Sequence, residues 1–219
     1  MTIHPTLLLA SAAFLAGTLD AQSTPALKIV PGMPPTLSVP ASSPLPPSLT
    51  PIFRNLTEIY YPYNTSIGYG FSGKDTPLEN EFWIAMPFTP ATDATVYSVQ
   101  AAVAWMGGAN SSLISLNADA GGLPGAALET WPVTGLPKFV GSCCYVPAFY
   151  STSGVAVTAG TQYWVVAGTT SANPTFNGSW YFAADAKQGV FAVNLNQTGW
   201  VQYTGTLGAF AVYGLGAPQ

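Results

Sequence analysis

An apolar side chain recurs at every second position along two stretches of this chain, which is the spacing of a β-strand with one buried face. The first stretch is "EFWIAMPF", and its apolar face holds Phe82, Ile84, Met86 and Phe88. The second is "TVYSVQAAVAWM", predicted to be one strand whose apolar face holds Tyr97, Val99, Ala101, Val103 and Trp105. No stretch has the spacing of a helix, so the sequence predicts an all-β protein.

Turn residues separate further strands of the same kind. The strand "SSLISLNAD" runs into the turn cluster "DAGGLPGAA", and two strands joined at "TAGTQ" are predicted in "GVAVTAGTQYWVVAGTT". The series continues with "SWYFAAD", "GVFAVNL", "GWVQYT" and "LGAFAVYG". Roughly ten short strands at this spacing predict an antiparallel β-sandwich or barrel. The 22 glycines and 20 prolines fit tight turns better than long helices.

Residues 1–21 are predicted to be a signal peptide. The apolar run "TLLLASAAFLAGTL" precedes "DAQS", where Ala21 is the residue before the predicted cleavage. The alternative is a membrane span, but a span needs about 20 apolar residues and this run is shorter. Cleavage would also remove His4, the single histidine. The mature protein would then lack Ser-His-Asp catalysis, Cys-His catalysis and histidine-ligated metals.

Residues 22–55 are predicted to be a proline-rich spacer, followed by a β-sandwich domain over 56–216. The spacer contains nine prolines up to Pro51, and proline fixes φ and removes a backbone donor. The segment is therefore expected to stay outside any sheet. It would act either as a stalk or as a tail with no task of its own.

The charge of the chain argues against a nucleic-acid partner. Only 6% of the residues are charged, against about 25% in an average domain, and the net charge is -4. Five basic residues cannot form the positive surface that binds a phosphate backbone. The polar surface must come from Ser, Thr, Asn, Gln and Gly instead.

Two motifs in "LISLNADAGGLPGAALETW" and "VAVTAGTQYWVVAGTT" resemble the choice-of-anchor type domains of exported bacterial proteins. The matching residues are Asp119, Gly121, Gly122, Pro124 and Gly125, then Ala159, Gly160, Thr161, Tyr163 and Trp164. The resemblance covers roughly residues 65 to 214. It implies a jelly-roll-like β-sandwich on a bacterial surface or outside the cell, with no established reaction and no catalytic residue to transfer. The ending "GLGAPQ" lacks the usual sorting signal, so free secretion is expected.

Several carboxylates are candidate catalytic or metal-binding groups. Glu79 and Glu81 would share one face of a strand if "LENEFW" is extended, and most glycosidases need two facing acids. The alternative is solvated charge that discourages pairing at a strand edge. Asp119, Asp185 and Glu79 are candidate calcium ligands, because calcium prefers oxygen donors in loops. The alternative for Asp119 is an Asx turn onto its own backbone.

Aromatic residues predict a glycan-binding surface. The four candidates lie in segments rich in Asn, Gln, Gly and Thr, and they are Trp180, Tyr181, Trp200 and Tyr203. Exposed rings of this kind can stack on sugars, although aromatic residues more often belong to the core. Trp105 and Trp164 alternate with aliphatic residues and are predicted to be core.

The two cysteines, Cys143 and Cys144, are adjacent in "GSCCYVPAFYSTSG". Export favours oxidation, so a vicinal disulfide is predicted. Consecutive Cα atoms are about 3.8 Å apart across a trans peptide, below the usual disulfide range, so the ring would be strained. The alternatives are two buried reduced thiols or an intermolecular bond.

The sequence therefore predicts a secreted, non-enzymatic β-sandwich protein that acts in the extracellular matrix, the envelope or surface interactions. A carbohydrate-binding module is the alternative, and a glycan-active enzyme is the third hypothesis. The expected partner is a glycan or a matrix component, without nucleic acid and without a transmembrane segment after signal cleavage. No cofactor is expected apart from calcium in the alternative given above. The oligomeric state stays open.

Overall fold

The structure is a computed structural model that describes residues 49–57, 61–140 and 143–215. All of these belong to the compact unit Pro44–Gln219. The predicted signal peptide, 1–21, and the predicted spacer up to residue 48 lie outside the described residues. No helix in the described part is long and apolar enough to cross a membrane.

The described residues form strands and no helix, which confirms the all-β prediction. The strands are β1 (Leu49–Arg54), β2 (Tyr63–Ser72), β3 (Phe82–Phe88), β4 (Ala94–Ala101), β5 (Val103–Gly107), β6 (Ser111–Asp119), β7 (Pro124–Thr134), β8 (Ala148–Tyr150), β9 (Ala156–Val157), β10 (Tyr163–Gly168), β11 (Asn177–Ala183), β12 (Gln188–Leu195), β13 (Trp200–Thr206) and β14 (Phe210–Leu215).

Two antiparallel sheets are formed by these strands. The smaller sheet has the order β1-β14-β4-β8, and β9 also pairs with β4. The larger sheet has the order β5-β11-β2-β3-β10-β6-β7, and β12 pairs with both β3 and β13. Every pairing of these strands is antiparallel. The predicted antiparallel β-sandwich is therefore confirmed.

One apolar core joins the two sheets. Phe210 of β14 contacts Phe88 of β3 with ring centroids 6.5 Å apart, and it meets Trp180 of β11 at 5.9 Å. The alternation predicted for β3 holds, because Ile84, Met86 and Phe88 are at most 3% exposed. Burial of each such side chain stabilises the fold by about 1.5–3 kcal/mol.

The stretch "TVYSVQAAVAWM" forms two strands rather than the one predicted. β4 belongs to the smaller sheet and β5 to the larger, and the chain crosses between them at Ala102. A β-bulge in the pairing of β4 with β14 falls at Tyr97, which is 40% exposed while Val96 and Val99 are buried. The bulge adds one residue to β4, so the Tyr97 side chain points to solvent. Strict alternation along the sequence, which does not include a bulge, puts Tyr97 on the buried face.

The domain begins earlier in the chain than predicted, because residues of the predicted spacer form strand β1. Leu49–Arg54 pair with β14, so the sandwich includes residues assigned to the spacer. Pro51 is tolerated because β1 is an edge strand, where a missing N–H breaks no ladder, and because the register shifts between Pro51 and Phe53.

A carboxylate connects the two sheets at one side. Glu129 of β7 accepts hydrogen bonds from Ser151 Oγ at 2.6 Å and from the Thr152 backbone N–H at 2.7 Å, in the loop after β8. Burial opposes ionisation of Glu129, but these hydrogen bonds outweigh it, so the pKa of Glu129 is lowered. Trp131 Nε1 also donates to the Tyr150 carbonyl at 2.9 Å.

The outer face of the larger sheet is partly covered. Every residue of β10 is buried, because its inward side chains enter the core and its outward ones lie in a second cluster. That cluster contains Ala85, Trp164, Val166 and Ala192, with Trp83, Leu123 and Trp200 packed against it. The prediction that Trp164 is core is confirmed, whereas Trp105 is only half-buried. The outer cluster is what places Trp83 beside the cleft described next.

Candidate functional site

A cleft of about 370 Å³ opens at one end of the larger sheet. It forms where the start of β3, the end of β10 and the turn between β12 and β13 meet the loops after β2 and β10. The residues that line it are Gly73, Lys74, Glu81, Trp83, Leu113, Thr169, Thr170, Ser171, Pro174 and Gln197. The lining thus combines one indole ring with a carboxylate, an amine, an amide and several hydroxyl groups.

The indole of Trp83 is held in place from two directions. Gly168 lies beside Trp83 in the sheet, and a Cβ at Gly168 would overlap the indole, so the absence of a side chain there makes room for the ring. Trp83 Nε1 donates to Glu81 Oε1 at 2.7 Å. The ring is half-buried and its orientation is set without a ligand. A preset ring of this kind loses little conformational entropy on binding.

Glu81 accepts most of the side-chain hydrogen bonds on the polar side of the cleft. Its Oε1 atom accepts from Trp83 Nε1, from Gln197 Nε2 at 3.1 Å and from Thr169 Oγ1 at 3.4 Å. Its Oε2 atom accepts no hydrogen bond from the residues that the structure describes. Oε2 therefore offers an acceptor to a hydroxyl or amine of a ligand.

The turn between β12 and β13 positions this side of the cleft. The Glu81 N–H donates to Asn196 Oδ1 at 2.8 Å, and the Asn196 N–H donates to the Glu81 carbonyl at 2.8 Å. Asn196 and Gln197 have φ values of 51° and 57°, a left-handed conformation that asparagine tolerates better than most residues. The turn thereby directs the Gln197 amide to Glu81.

Donor groups line the rest of the cleft. Thr170 Oγ1 accepts from Asn173 Nδ2 at 3.1 Å, which leaves its own hydrogen for a ligand, and Ser171 is exposed. Lys74 Nζ pairs with Asp75 at 2.7 Å, and this pair is solvent-exposed. The arrangement can bind a polyhydroxylated molecule that presents an apolar face to Trp83 and hydroxyl groups to Glu81 and the threonines.

The four predicted glycan-binding residues do not form one exposed surface. Trp180 is 0% exposed in the core, where its Nε1 donates to the Ala209 carbonyl at 2.9 Å. Tyr181 is 4% exposed and stacks between Tyr63 and Phe139. These two positions are corrected to core residues, because β11 is an internal strand of the larger sheet and side chains on both of its faces are buried.

The other two predicted residues lie on β13. Trp200 packs half-buried against the outer cluster, whereas Tyr203 is 50% exposed and stacks on Phe191 with centroids 5.7 Å apart. Because neighbouring odd and even positions of a strand face opposite sides, Trp200 and Tyr203 cannot offer their rings to one ligand face. Tyr203 instead borders a second cavity of about 420 Å³, which is mostly apolar and includes Tyr69, Leu78 and Val193 in its lining.

The three predicted calcium ligands do not come together in the structure, and two of them accept hydrogen bonds from other residues. Asp119 Oδ2 accepts from the Gly122 N–H at 2.9 Å, while Oδ1 accepts from Gln162 Nε2 at 2.9 Å and Trp164 Nε1 at 2.8 Å. Asp185 accepts from the Lys187 N–H in its own turn, and Glu79 is exposed in the loop before β3. Within the described ranges, no three acidic, histidine or cysteine residues group to hold a metal ion.

Asp119 instead follows the alternative considered from the sequence, a turn closed onto its own backbone. Burial disfavours the ionised carboxylate, but the hydrogen bonds from Gly122, Trp164 and Gln162 outweigh it and lower the pKa of Asp119 from its ordinary value of 3.8. The role of this residue is to satisfy the buried indole N–H of Trp164.

Cys143 and Cys144 are disulfide-bonded to each other in the loop between β7 and β8, and their Cα atoms are 3.0 Å apart. Cys144 packs with Val146 against a small cluster that includes Tyr63 and Tyr181. Tyr145 is 64% exposed, and its carbonyl accepts from Tyr63 Oη at 3.4 Å. The pair therefore lies beside a partly exposed aromatic loop and away from the cleft lining.

Intact mass spectrometry checks the pairing. The denatured monomer is expected to take up no thiol-alkylating group without reductant and two groups after reduction, because each sulfur is already bonded to its neighbour. Uptake of two groups without reductant would contradict an intramolecular disulfide. A covalent dimer on non-reducing gels would show the intermolecular bond instead.

Trp83 and Gln197 were not among the residues predicted from the sequence. Trp83 lies out of phase with the apolar face of "EFWIAMPF", which is a usable signal for a ring on the opposite side of the strand. Gln197 carries no such signal, because only the folded turn brings it to Glu81.

Comparison with protein-family models, with curated proteins and with solved structures finds no significant match to this chain. The geometry of the cleft is therefore the basis for assigning a function.

Proposed function

We propose that the protein is an exported, non-enzymatic binding module that recognises carbohydrate in the cleft at Trp83. The observation that carries this proposal is the indole ring fixed by Gly168 and by Glu81 Oε1 at the wall of a polar cleft. The setting is outside the cell, in the matrix, the envelope or another surface. That setting is supported by the predicted signal peptide and by the resemblance to choice-of-anchor domains.

The chemistry of the cleft fits a neutral sugar. A pyranose ring has a face of C–H groups that packs on an aromatic ring, and hydroxyl groups around its edge. Glu81 Oε2 and the hydroxyl groups of Thr170 and Ser171 supply an acceptor and donors near Trp83. A cleft of about 370 Å³ accommodates one or two sugar rings, within the range of small-molecule sites.

The carboxylate content of the cleft favours binding over hydrolysis. Glu81 is the single acidic residue among the described residues that line it. Most glycosidases use two carboxyl groups about 5–10 Å apart, one as acid and one as base or nucleophile. Glu81 also accepts three hydrogen bonds at Oε1, which suits a positioning and binding group.

Trp83→Ala is expected to weaken binding of the preferred glycan at least about tenfold, which corresponds to about 1.4 kcal/mol. The physical reason is the loss of the stacking surface, since aromatic residues in clefts contribute a large share of binding energy. The measurement is a glycan array with the purified protein, followed by calorimetric titration of the best ligand.

Trp105→Ala is the matched control, because Trp105 is half-buried like Trp83 and its Nε1 also donates a hydrogen bond. The acceptor of that bond is the Gly108 carbonyl, and Trp105 is not part of the cleft lining. This variant is expected to keep the wild-type affinity. A blank array across plant and microbial polysaccharides would overturn the proposal. Equal losses of glycan affinity in the two tryptophan variants would contradict a binding site at Trp83.

A further inference from the structure

Trp200 lies in line with Trp83 on the outer face of the larger sheet. Asn194 of β12 is paired in register with Trp83 of β3 on one side and with Trp200 of β13 on the other. Residues directly opposite each other on neighbouring strands point to the same face of a sheet. Both indole rings also pack against the outer cluster, as this shared face requires. Trp83, Asn194 and Trp200 therefore form a row across three strands.

The spacing of the two tryptophans is that of two sugar units. Their backbones are separated by two strand spacings, about 9.5 Å in a sheet. Trp83 leans over Gly168 of β10, and Trp200 leans toward the outer cluster, whose members lie on β3, β10 and β12. Both rings thus lean in the same direction and keep a similar separation. In an extended β-(1→4)-linked chain, the first and third sugar rings have a similar separation and present the same face.

The Gln197 amide supplies a polar group between the two rings. Asn194 Nδ2 donates to Gln197 Oε1 at 3.5 Å, and Gln197 Nε2 donates to Glu81 Oε1 at 3.1 Å. Gln197 is exposed, whereas Asn194 is buried between the two tryptophans. A primary amide offers both a donor and an acceptor, the two functions that a sugar hydroxyl group can use.

The turn between β6 and β7 helps to fix Trp200. Leu123 of this turn packs with Trp200 against the outer cluster, and Gln202 Nε2 donates to the Gly122 carbonyl. Gln202 lies two residues farther along β13, so this turn lies away from the sheet end at which the cleft opens. Trp200 stays half-buried, with part of its ring exposed. A ring held in this way loses little conformational entropy on binding.

We propose that Trp200 is a second stacking surface of the glycan site, and that the site binds an extended, neutral oligosaccharide of at least three units. The first unit stacks on Trp83, the second lies beside the Gln197 amide, and the third stacks on Trp200. This inference rests on the proposed function of the cleft. It adds the class of glycan, a linear chain whose alternate units have the same orientation, as in β-(1→4)-linked polymers.

The test is calorimetric titration of the purified protein with chain-length series from the monosaccharide to the hexasaccharide. The probes are β-(1→4)-linked oligosaccharides of glucose, N-acetylglucosamine, xylose and mannose. In the preferred series, the wild type is expected to bind the trisaccharide at least about tenfold more tightly than the disaccharide. The gain is expected to level off in longer chains, because the row offers two rings.

Two variants of Trp200 locate this gain. Trp200→Ala is expected to abolish the step from disaccharide to trisaccharide while the disaccharide affinity stays unchanged. Trp200→Leu keeps apolar packing against the outer cluster and is expected to lose the same step, and thermal melting verifies the fold of both variants. Trp83→Ala is expected to weaken binding of every member of the series.

Tyr203→Ala is the matched control, because Tyr203 lies on the same strand with its ring on the opposite face. This variant is expected to keep the chain-length dependence of the wild type. A trisaccharide bound no more tightly than the disaccharide overturns the inference and leaves a shorter site at Trp83. A step that survives both Trp200 variants, or that Tyr203→Ala removes, overturns it as well. A protein that binds no glycan at all fails the proposed function itself.

Discussion

Trp180→Ala is expected to lower the free energy of unfolding by about 3–5 kcal/mol, the range for removal of a buried tryptophan. Trp180 is 0% exposed, meets Phe210 edge to face at 5.9 Å, and donates from Nε1 to the Ala209 carbonyl. Alanine would leave a cavity between the two sheets, and the Ala209 carbonyl would keep only its hydrogen bond from the Ala102 N–H at 2.9 Å. Urea unfolding followed by fluorescence and circular dichroism measures the loss.

Tyr203→Ala is the control for this prediction, because the sequence placed Trp180 and Tyr203 in the same glycan surface. Tyr203 is 50% exposed, so its removal is expected to cost less than about 1.5 kcal/mol, mainly from the stack on Phe191. Similar losses for the two variants would contradict the assignment of Trp180 to the core and Tyr203 to the surface.

Asp119→Ala is expected to lower the free energy of unfolding by about 1–3 kcal/mol, the cost of leaving a buried donor unsatisfied. The donor is Nε1 of Trp164, a residue that is 0% exposed, and its acceptor is Asp119 Oδ1 at 2.8 Å. The change also removes the acceptor that closes the turn at Gly122. Glu79→Ala, at an exposed carboxylate, is expected to change stability by less than about 0.5 kcal/mol.

The same residue predicts the direction of a pH dependence. Because the pKa of Asp119 is lowered in the folded protein, its contribution is complete above the ordinary value of 3.8 and is lost as the pH falls below it. Wild type and Asp119→Ala are therefore expected to differ most in stability near neutral pH and to converge in acid. Denaturant melts at a series of pH values measure this, and a constant difference would contradict the assigned hydrogen bonds.

The fold class could be predicted because local periodicity carries it. Ile84, Met86 and Phe88 show the alternation, and the strand is buried on that face as expected. The division of "TVYSVQAAVAWM" between two sheets could not be read in the same way. Its apolar pattern continues through Ala102, so only the pairing partners, β14 for β4 and β11 for β5, reveal where the chain crosses.

The residues of the candidate site were harder to predict from the sequence than the fold class. Aromatic residues among polar neighbours predict an exposed surface, but Trp180 lies on β11, an internal strand, and its side chain is buried against Phe210 of the smaller sheet. Trp83 is not among the predicted site residues, although Gly168 and Glu81 fix its ring at a cleft. The contact between Gln197 and Glu81 joins positions 116 residues apart in the chain, and no local pattern encodes it.

By itself, the sequence determined the secondary-structure class, the position of most strands and the shortage of basic residues, because alternation and charge are local or additive properties. The tertiary structure alone decided which tryptophans are core and that Asp119 accepts hydrogen bonds from the Trp164 indole and the Gly122 backbone. Those outcomes depend on strand order, which brings distant residues together and settles which side chains lose contact with water.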